Sequence, residues 1–313
     1  MKRRFAIVGL AVVLAGCSLL PLNKFESTMV IDSTSLIGPS HTFNKIQISR
    51  LFKSEEVFTI NSEMELALLL FKQAEQEIYQ LSYVSDSDIS LQRVYLYLES
   101  LIVQPFSLKQ GTMEYRQGNK VTMTTQYIEL VIDDTKSDEL MVEANAIIRA
   151  IIDDDMSDLR KVEAIHDYLV KTVAYDVSVL ELDLSKVQSH PSFQAYGAIV
   201  LQTAVCSGYS KAFLLLARLA DVQSMVVTSQ IIQHAWNIVF LDDEIYYLDA
   251  TWNDPIPDEP NRVLRTYFMQ KRNQFLADGN HIFDRSSLTT LDAIEFETFA
   301  DYVFNPPFAN LGN

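Results

Sequence analysis

Two alternating runs, 234-HAWNIVFL-241 and 245-IYYLDATW-252, flank the acidic stretch Asp242-Asp243-Glu244. A short polar break between such runs predicts a β-hairpin, and the loop length fixes its register. With an even loop, either Asp242-Asp243 or Leu241 to Glu244, paired residue numbers sum to 485. His234 then lies opposite Thr251, and Asp249, two residues from Thr251, shares the face of His234. An odd loop without a bulge puts the two on opposite faces. In the even register a carboxylate can hold one imidazole nitrogen and leave the other free.

Upstream lies 201-LQTAVCSGYSKAF-213. Ala212, Leu215, Leu216 and Leu219 form an apolar stripe, so residues 207–219 read as a helix with Cys206 at its first turn. A thiol attacks as thiolate, and a free cysteine ionises only near pH ~8.5. The positive end of a helix and a nearby imidazolium both favour the thiolate. Spacing alone does not bring the hairpin to Cys206. Taken singly, Cys206 reads as a small buried hydrophobe, His234 as a structural histidine and Asp249 as a strand-end carboxylate.

The N-terminus bears on the same thiol. Lys2, Arg3 and Arg4 precede an apolar run from Phe5 to Gly16, the pattern of a signal peptide and too short for a stable membrane span. The run closes in Leu14-Ala15-Gly16-Cys17, which resembles a bacterial lipobox. We therefore expect a lipoprotein signal peptide over 1–16 and lipidation of Cys17. The product is exported and anchored to the outer face of a bacterial membrane. The alternative is an ordinary signal peptide with an accidental cysteine. The chain has two cysteines, so lipidation of one leaves Cys206 without a disulfide partner. Loss of the three basic leader residues takes the net charge from −16 to −19. Such a surface repels nucleic acid and anionic headgroups, so no nucleic-acid partner is expected.

Residues 17–45 are polar and aperiodic and read as a tether. Residues 46–135 read as a small α+β domain. Ser62 and Glu65 form a capping box ahead of Leu66, Leu69, Leu70, Ala74 and Ile78, and Gly118-Asn119 separates the strands of a hairpin. Two helices come next, over 138–153 and, from a Ser157 cap, 158–173. His166 sits beside the stripe of the second as a structural histidine. His190-Pro191 marks an extended turn within a loop over 174–194.

Three blocks resemble a known family, the transglutaminase-like (papain-like) superfamily: 195-AYGAIVLQTAVCSGYSKAF-213, 234-HAWN-237 and 247-YLDATWNDP-255. The preceding 162-VEAIHDYLVKTVAYD-176 is similar to the helix that enters that core. The resemblance covers about 155–285. It implies an α+β fold with a papain/transglutaminase-like core, a nucleophile helix packed on an antiparallel sheet, over a domain 138–313. By position it makes Cys206 the nucleophile, His234 the general base and acid, and Asp249 the group that orients it, converging across a cleft. Gln202-Thr203 stand where the family is expected to have a glycine, next to the oxyanion hole. The Cys206 backbone N–H is the natural first oxyanion donor. Tyr175 is a candidate for the second, with packing as its other reading.

These residues point to a thiol enzyme acting on amide bonds of proteins or peptides at the cell surface through a thioester. The outcome is hydrolysis (protease or amidase) or transglutaminase-type transfer, with hydrolysis favoured. The alternative is an idle module of the cell envelope that binds peptides or proteins. No cofactor is expected. No metal is expected either, because 153-DDD-155 and 242-DDE-244 lack loop-type ligand spacing. Trp236 and Trp252 read as packing or cleft lining, and Asn237 and Asp254 as supporting or turn residues. His281, in 278-DGNHIF-283, reads as structural or cleft-lining and is not placed in the site.

Overall fold

The computed structural model describes residues 57–117, 120–181, 190–257, 259, 262–283 and 290–304. It also describes the strand segments Ile7–Val8 (β1), Glu26–Thr28 (β2) and Ser35–Ile37 (β3). Cys17, most of the expected leader and tether, and the Gly118-Asn119 turn lie outside the described residues.

The fold is mixed α and β in two compact units. The first comprises Met1–Gly38, Lys45–Ile89 and Ser107–Val131. Its helix α1 (Glu63–Ala74) starts as the sequence predicts, with the Glu65 N–H donating to Ser62 Oγ at 3.2 Å. The reciprocal arm differs: Glu65 Oε2 accepts from the Asn61 N–H at 2.8 Å, one residue before the cap. Leu66, Ala67 and Leu70 form the buried stripe of α1. The unit's sheet also holds β4 (Val57–Thr59), β5 (Gln80–Val84), β6 (Phe106–Gln117) and β7 (Lys120–Ile132). Its order is β1-β2-β6-β7-β5-β4, with β3 also paired to β6.

The second unit comprises Pro39–Asn44, Ser90–Phe106 and Ile132–Asn313. Residues 90–106 group here because their partners are here. From α2 (Leu91–Glu99), Arg93 pairs with Glu295 and the Tyr97 ring lies 4.7 Å from that of Phe299. Just beyond it, Ser100 O accepts the Val226 N–H at 2.9 Å, and Leu101 O accepts Arg218 Nη2 at 2.7 Å.

Helices α3 (Ser137–Ile151) and α4 (Asp158–Thr172) form where apolar residues recur at helical spacing. Ser157 holds the N-cap position of α4, but its side chain makes no capping bond. Two smaller pieces lead from α4 to the central helix of the unit. They are the short helix α5 (Ala195–Ile199) and a parallel pair, β8 (Ala174–Tyr175) with β9 (Thr203–Ala204). The central helix, α6 (Cys206–Leu219), buries nine residues. It lies on the antiparallel sheet β10 (Gln223–Ser229), β11 (His234–Leu241) and β12 (Glu244–Leu248). One tie between the layers is Asn237 Nδ2, which donates to Ser210 O at 3.0 Å. Leu169, Phe213, Leu216 and Val239 fill the core between helices and sheet. Each such fully buried side chain contributes about 1.5–3 kcal/mol. The short helix α7 (Arg272–Phe275) and the helix α8 (Ala293–Phe304) complete the unit.

Candidate active site

The turn Asp242-Asp243 has φ 52° and 60°, a left-handed pair that suits a two-residue hairpin loop. Asn237 pairs with Leu248 and Leu241 with Glu244, the register expected from the sequence. The ladder nevertheless stops at Leu248, short of Trp252, where the second run was expected to end, so the expected pairing of His234 with Thr251 lies beyond it. Beyond Leu248 the chain bonds elsewhere: Asp249 N donates to Tyr267 O at 2.8 Å, and the turn closes with Asn253 N to Asp249 O at 3.3 Å. Asp249 thus leaves the strand but keeps its side chain toward β11. Its Oδ2 accepts His234 Nε2–H at 2.6 Å.

Cys206 is the first residue of α6, after an extended Val205. The first N–H groups of a helix have no intrahelical acceptor, so the Cys206 amide is available to a ligand. Two glycines of the motif permit the tight loop that delivers Cys206. A Cβ on Gly208 would stand 2.3 Å from Ser192 O, and one on Gly197 would stand 2.4 Å from Pro191 O. The loop is fastened by Val205 N to Ser192 O at 2.9 Å and by the Ser192 hydroxyl on the Asp176 carboxylate. Gln202 adopts φ 54°, the left-handed conformation that favours glycine. The turn is therefore made without the glycine expected there, and Gln202 O still accepts the Ala174 N–H at 2.9 Å.

Cys206 is half-buried and is the free thiol of the described residues. It neighbours the His234 ring closely enough to favour the ring's charged form. Nε2 of that ring is committed to Asp249, which leaves Nδ1 as the nitrogen open to a thiol. Sγ also lies 4.0 Å from Gln233 O. Burial opposes a charge on His234, but the Asp249 carboxylate, by charge and hydrogen bond, and then Cys206 carry it up to about 10. Burial likewise opposes a charge on Asp249. His234, by charge and hydrogen bond, and then His281 hold it down to about 2. The structure thus pairs His234 with Asp249 directly and sets the Cys206 thiol in the neighbourhood of the same ring.

Tyr175 pairs with Ala204, beside the segment that leads into Cys206. Burial first, then the neighbouring Cys206 and Asp176, push its hydroxyl above the usual range, so it stays a donor. Trp252 stacks on His234 with ring centroids 4.7 Å apart, and Trp236 is fully buried 5.9 Å away. Asn237 is buried and donates to the α6 backbone. Asp254 Oδ2 accepts the Tyr209 hydroxyl at 2.7 Å. His166 is a structural residue, with Nε2 at Asn253 Nδ2, 3.0 Å, and Nδ1 at Asp167, 3.1 Å.

Sequence reasoning left out His281. Its Nε2 is 2.9 Å from the same Asp249 Oδ2 that His234 occupies. The ligand-type atoms of His234, Asp249 and His281 lie within 4.8 Å of one another. Two of those separations are direct hydrogen bonds, so a metal could enter only by breaking both.

This geometry coincides with a sequence match. Residues 145–250 match the family model of the transglutaminase-like superfamily. These residues are a transglutaminase-like domain. The kyphoscoliosis peptidase of Homo sapiens is 25% identical over 166 residues, covering 49% of this chain and 23% of its own. That of Mus musculus is 25% identical over 128 residues, covering 36% and 19%. The chain thus spans less than a quarter of the length of these curated relatives. A solved structure described as a TGase aligns over 57% of this chain and 52% of its own, at 16% identity and a TM-score of 0.30. Within the transglutaminase-like domain stand Cys206, His234 and Asp249, while His281 lies beyond its matched end.

Proposed function

We propose that the second unit is a thiol enzyme that cleaves amide bonds of peptides or proteins through Cys206, His234 and Asp249. The observation that carries the reading is the 2.6 Å hydrogen bond from His234 Nε2 to Asp249 Oδ2, with Cys206 beside the same ring and His234 held protonated at neutral pH. A protonated imidazole beside a sulfur at a helix N-terminus is the arrangement that favours a thiolate.

In the first step, Sγ of Cys206 forms a bond to the substrate carbonyl carbon, and the carbonyl electron pair moves to oxygen. The Cys206 amide and the Tyr175 hydroxyl are the donors to that oxyanion. As the intermediate collapses, the C–N bond breaks and His234 Nδ1–H protonates the departing amine, leaving a thioester. A water, deprotonated by neutral His234, attacks the thioester and releases an acid. A second amine in place of water would give transfer. Hydrolysis is favoured because the curated relatives carry the name peptidase. The Cys17 lipobox supports export and anchoring at the cell surface, where the substrates would be proteins or peptides.

Labelling of Cys206 by iodoacetamide between pH 4 and 9 tests the reading. The expected result is rapid labelling well below the free-thiol range that disappears in His234→Ala. Labelling that tracks a free thiol in both proteins would falsify it and favour an idle binding module. Mass spectrometry of a glutamine peptide, with and without a primary amine, then separates hydrolysis from transfer.

A further inference from the structure

Asp249 carries two imidazoles on one oxygen. His234 Nε2 lies 2.6 Å and His281 Nε2 2.9 Å from Oδ2, while Oδ1 accepts the Trp252 N–H at 3.0 Å. An ionised carboxylate has no hydrogen to give, so both Nε2 atoms must carry theirs. That settles the tautomer of His281. Its Nδ1 is then a bare lone pair, and this atom is buried with no hydrogen-bond partner among the described residues. A hydrogen there would be a buried donor without an acceptor, which is costly.

The surroundings hold the ring in place. Phe275 and Trp252 lie 4.0 and 4.2 Å from it between centroids, and Tyr267 and Trp236 lie 4.9 and 5.0 Å away. The side chain is fully buried. A histidine kept only for packing would leave two buried nitrogens to satisfy, so an apolar ring would suit this aromatic cage better. The feature that calls for an imidazole here is the Nε2–H aimed at Asp249.

Resting on the reading of Cys206, His234 and Asp249 as the reacting line, we propose that His281 is a positioning residue for that site. Its Nε2–H fixes Asp249 Oδ2 in place and shares its charge. The carboxylate then stays ionised and aimed at His234 instead of drawing a proton to itself. His281 touches neither thiol nor substrate and acts through Asp249. The titratable groups facing it are His234 and Asp249 from the hairpin, Tyr267, and Asp278, which accepts the Tyr267 hydroxyl at 2.6 Å.

The test compares His281→Phe, which keeps a ring but no donor, with His281→Gln, whose amide N–H can replace Nε2–H. The readout is the acid limb of Cys206 alkylation by iodoacetamide. In His281→Phe the limb should move to higher pH by about one unit, because a carboxylate with fewer donors is more basic. In His281→Gln it should return to within a few tenths of wild type. A packing role would lower the melting temperature in either variant and leave the limb in place. Superimposed limbs in all three proteins overturn the proposal while leaving low-pH labelling of wild type, and so the enzyme reading, intact. Should His281→Phe not fold, nitrogen-15 NMR of the wild-type protein decides: a protonated Nε2 on His281 is required, and an Nδ1–H tautomer overturns it.

Discussion

His234 and Asp249 meet at 2.6 Å although the strand ladder ends one residue before the aspartate. The contact is made by a side chain leaving a sheet and held from outside it. Asp249→Asn preserves that shape and removes the charge. The imidazole of His234 should then fall well below about 10, and the low-pH limb of Cys206 labelling should vanish. Turnover of a peptide substrate should drop about 10²- to 10⁴-fold, as when a triad carboxylate is neutralised elsewhere. Stopped assays of peptide cleavage and the labelling profile check both.

The same pair sets a stability window. His234 is raised from 6.5 to about 10. A raised folded value contributes fully below 6.5 and is lost as pH climbs toward 10. Asp249 is depressed from 3.8 to about 2, and its contribution is full above 3.8 and lost as pH falls toward 2. The two shifts describe one interaction, so it stabilises most between about pH 4 and 6.5. Chemical denaturation across pH should show that maximum flattened in Asp249→Asn. An unchanged profile in the variant counts against the coupling.

Gly208→Ala isolates the close approach beneath Cys206. In a helix interior alanine is favoured over glycine by about 1 kcal/mol. Here the added methyl would sit 2.3 Å from Ser192 O and 2.9 Å from Ala204 Cβ. The expected net effect is a loss of about 1–3 kcal/mol in urea unfolding, with slower Cys206 labelling.

At Gln202 the backbone occupies the left-handed region at φ 54°. Gln202→Gly should leave stability within about 1 kcal/mol of wild type, whereas Gln202→Val should lower it by about 1–2 kcal/mol. Thermal melts of the two variants give the comparison. Equal melts would mean that the turn adapts.

Much of this site was legible because it depends on local pattern. The alternation of 234–241 and the acidic pair Asp242-Asp243 define a register that the pairing Asn237 with Leu248 reproduces. The helix from Cys206 is announced by its apolar stripe. What escaped depends on partners far along the chain. The end of β12 is decided by Tyr267 and Gln270, which take the backbone bonds of Asp249 and Tyr247. Strand β10 lies in 223-QSMVVTS-229, a run too short and mixed for its period to stand out. His281 sits in 278-DGNHIF-283, where no period or motif announces a bond to a residue on another segment. The assignment of 90–106 to the second unit likewise rests on Glu295, Phe299 and Val226, not on its own composition.

The backbone bond from Asp249 N to Tyr267 O has a practical consequence for anyone trimming this chain. The family match ends at residue 250, but the carboxylate that faces His234 is fastened by Tyr267 and shared with His281. An excised fragment stopping at the family boundary would keep Cys206, His234 and Asp249 in its sequence while losing what holds the last of them still. The shortest piece worth expressing runs past residue 283, and recognition by homology and integrity of the site are separate lengths.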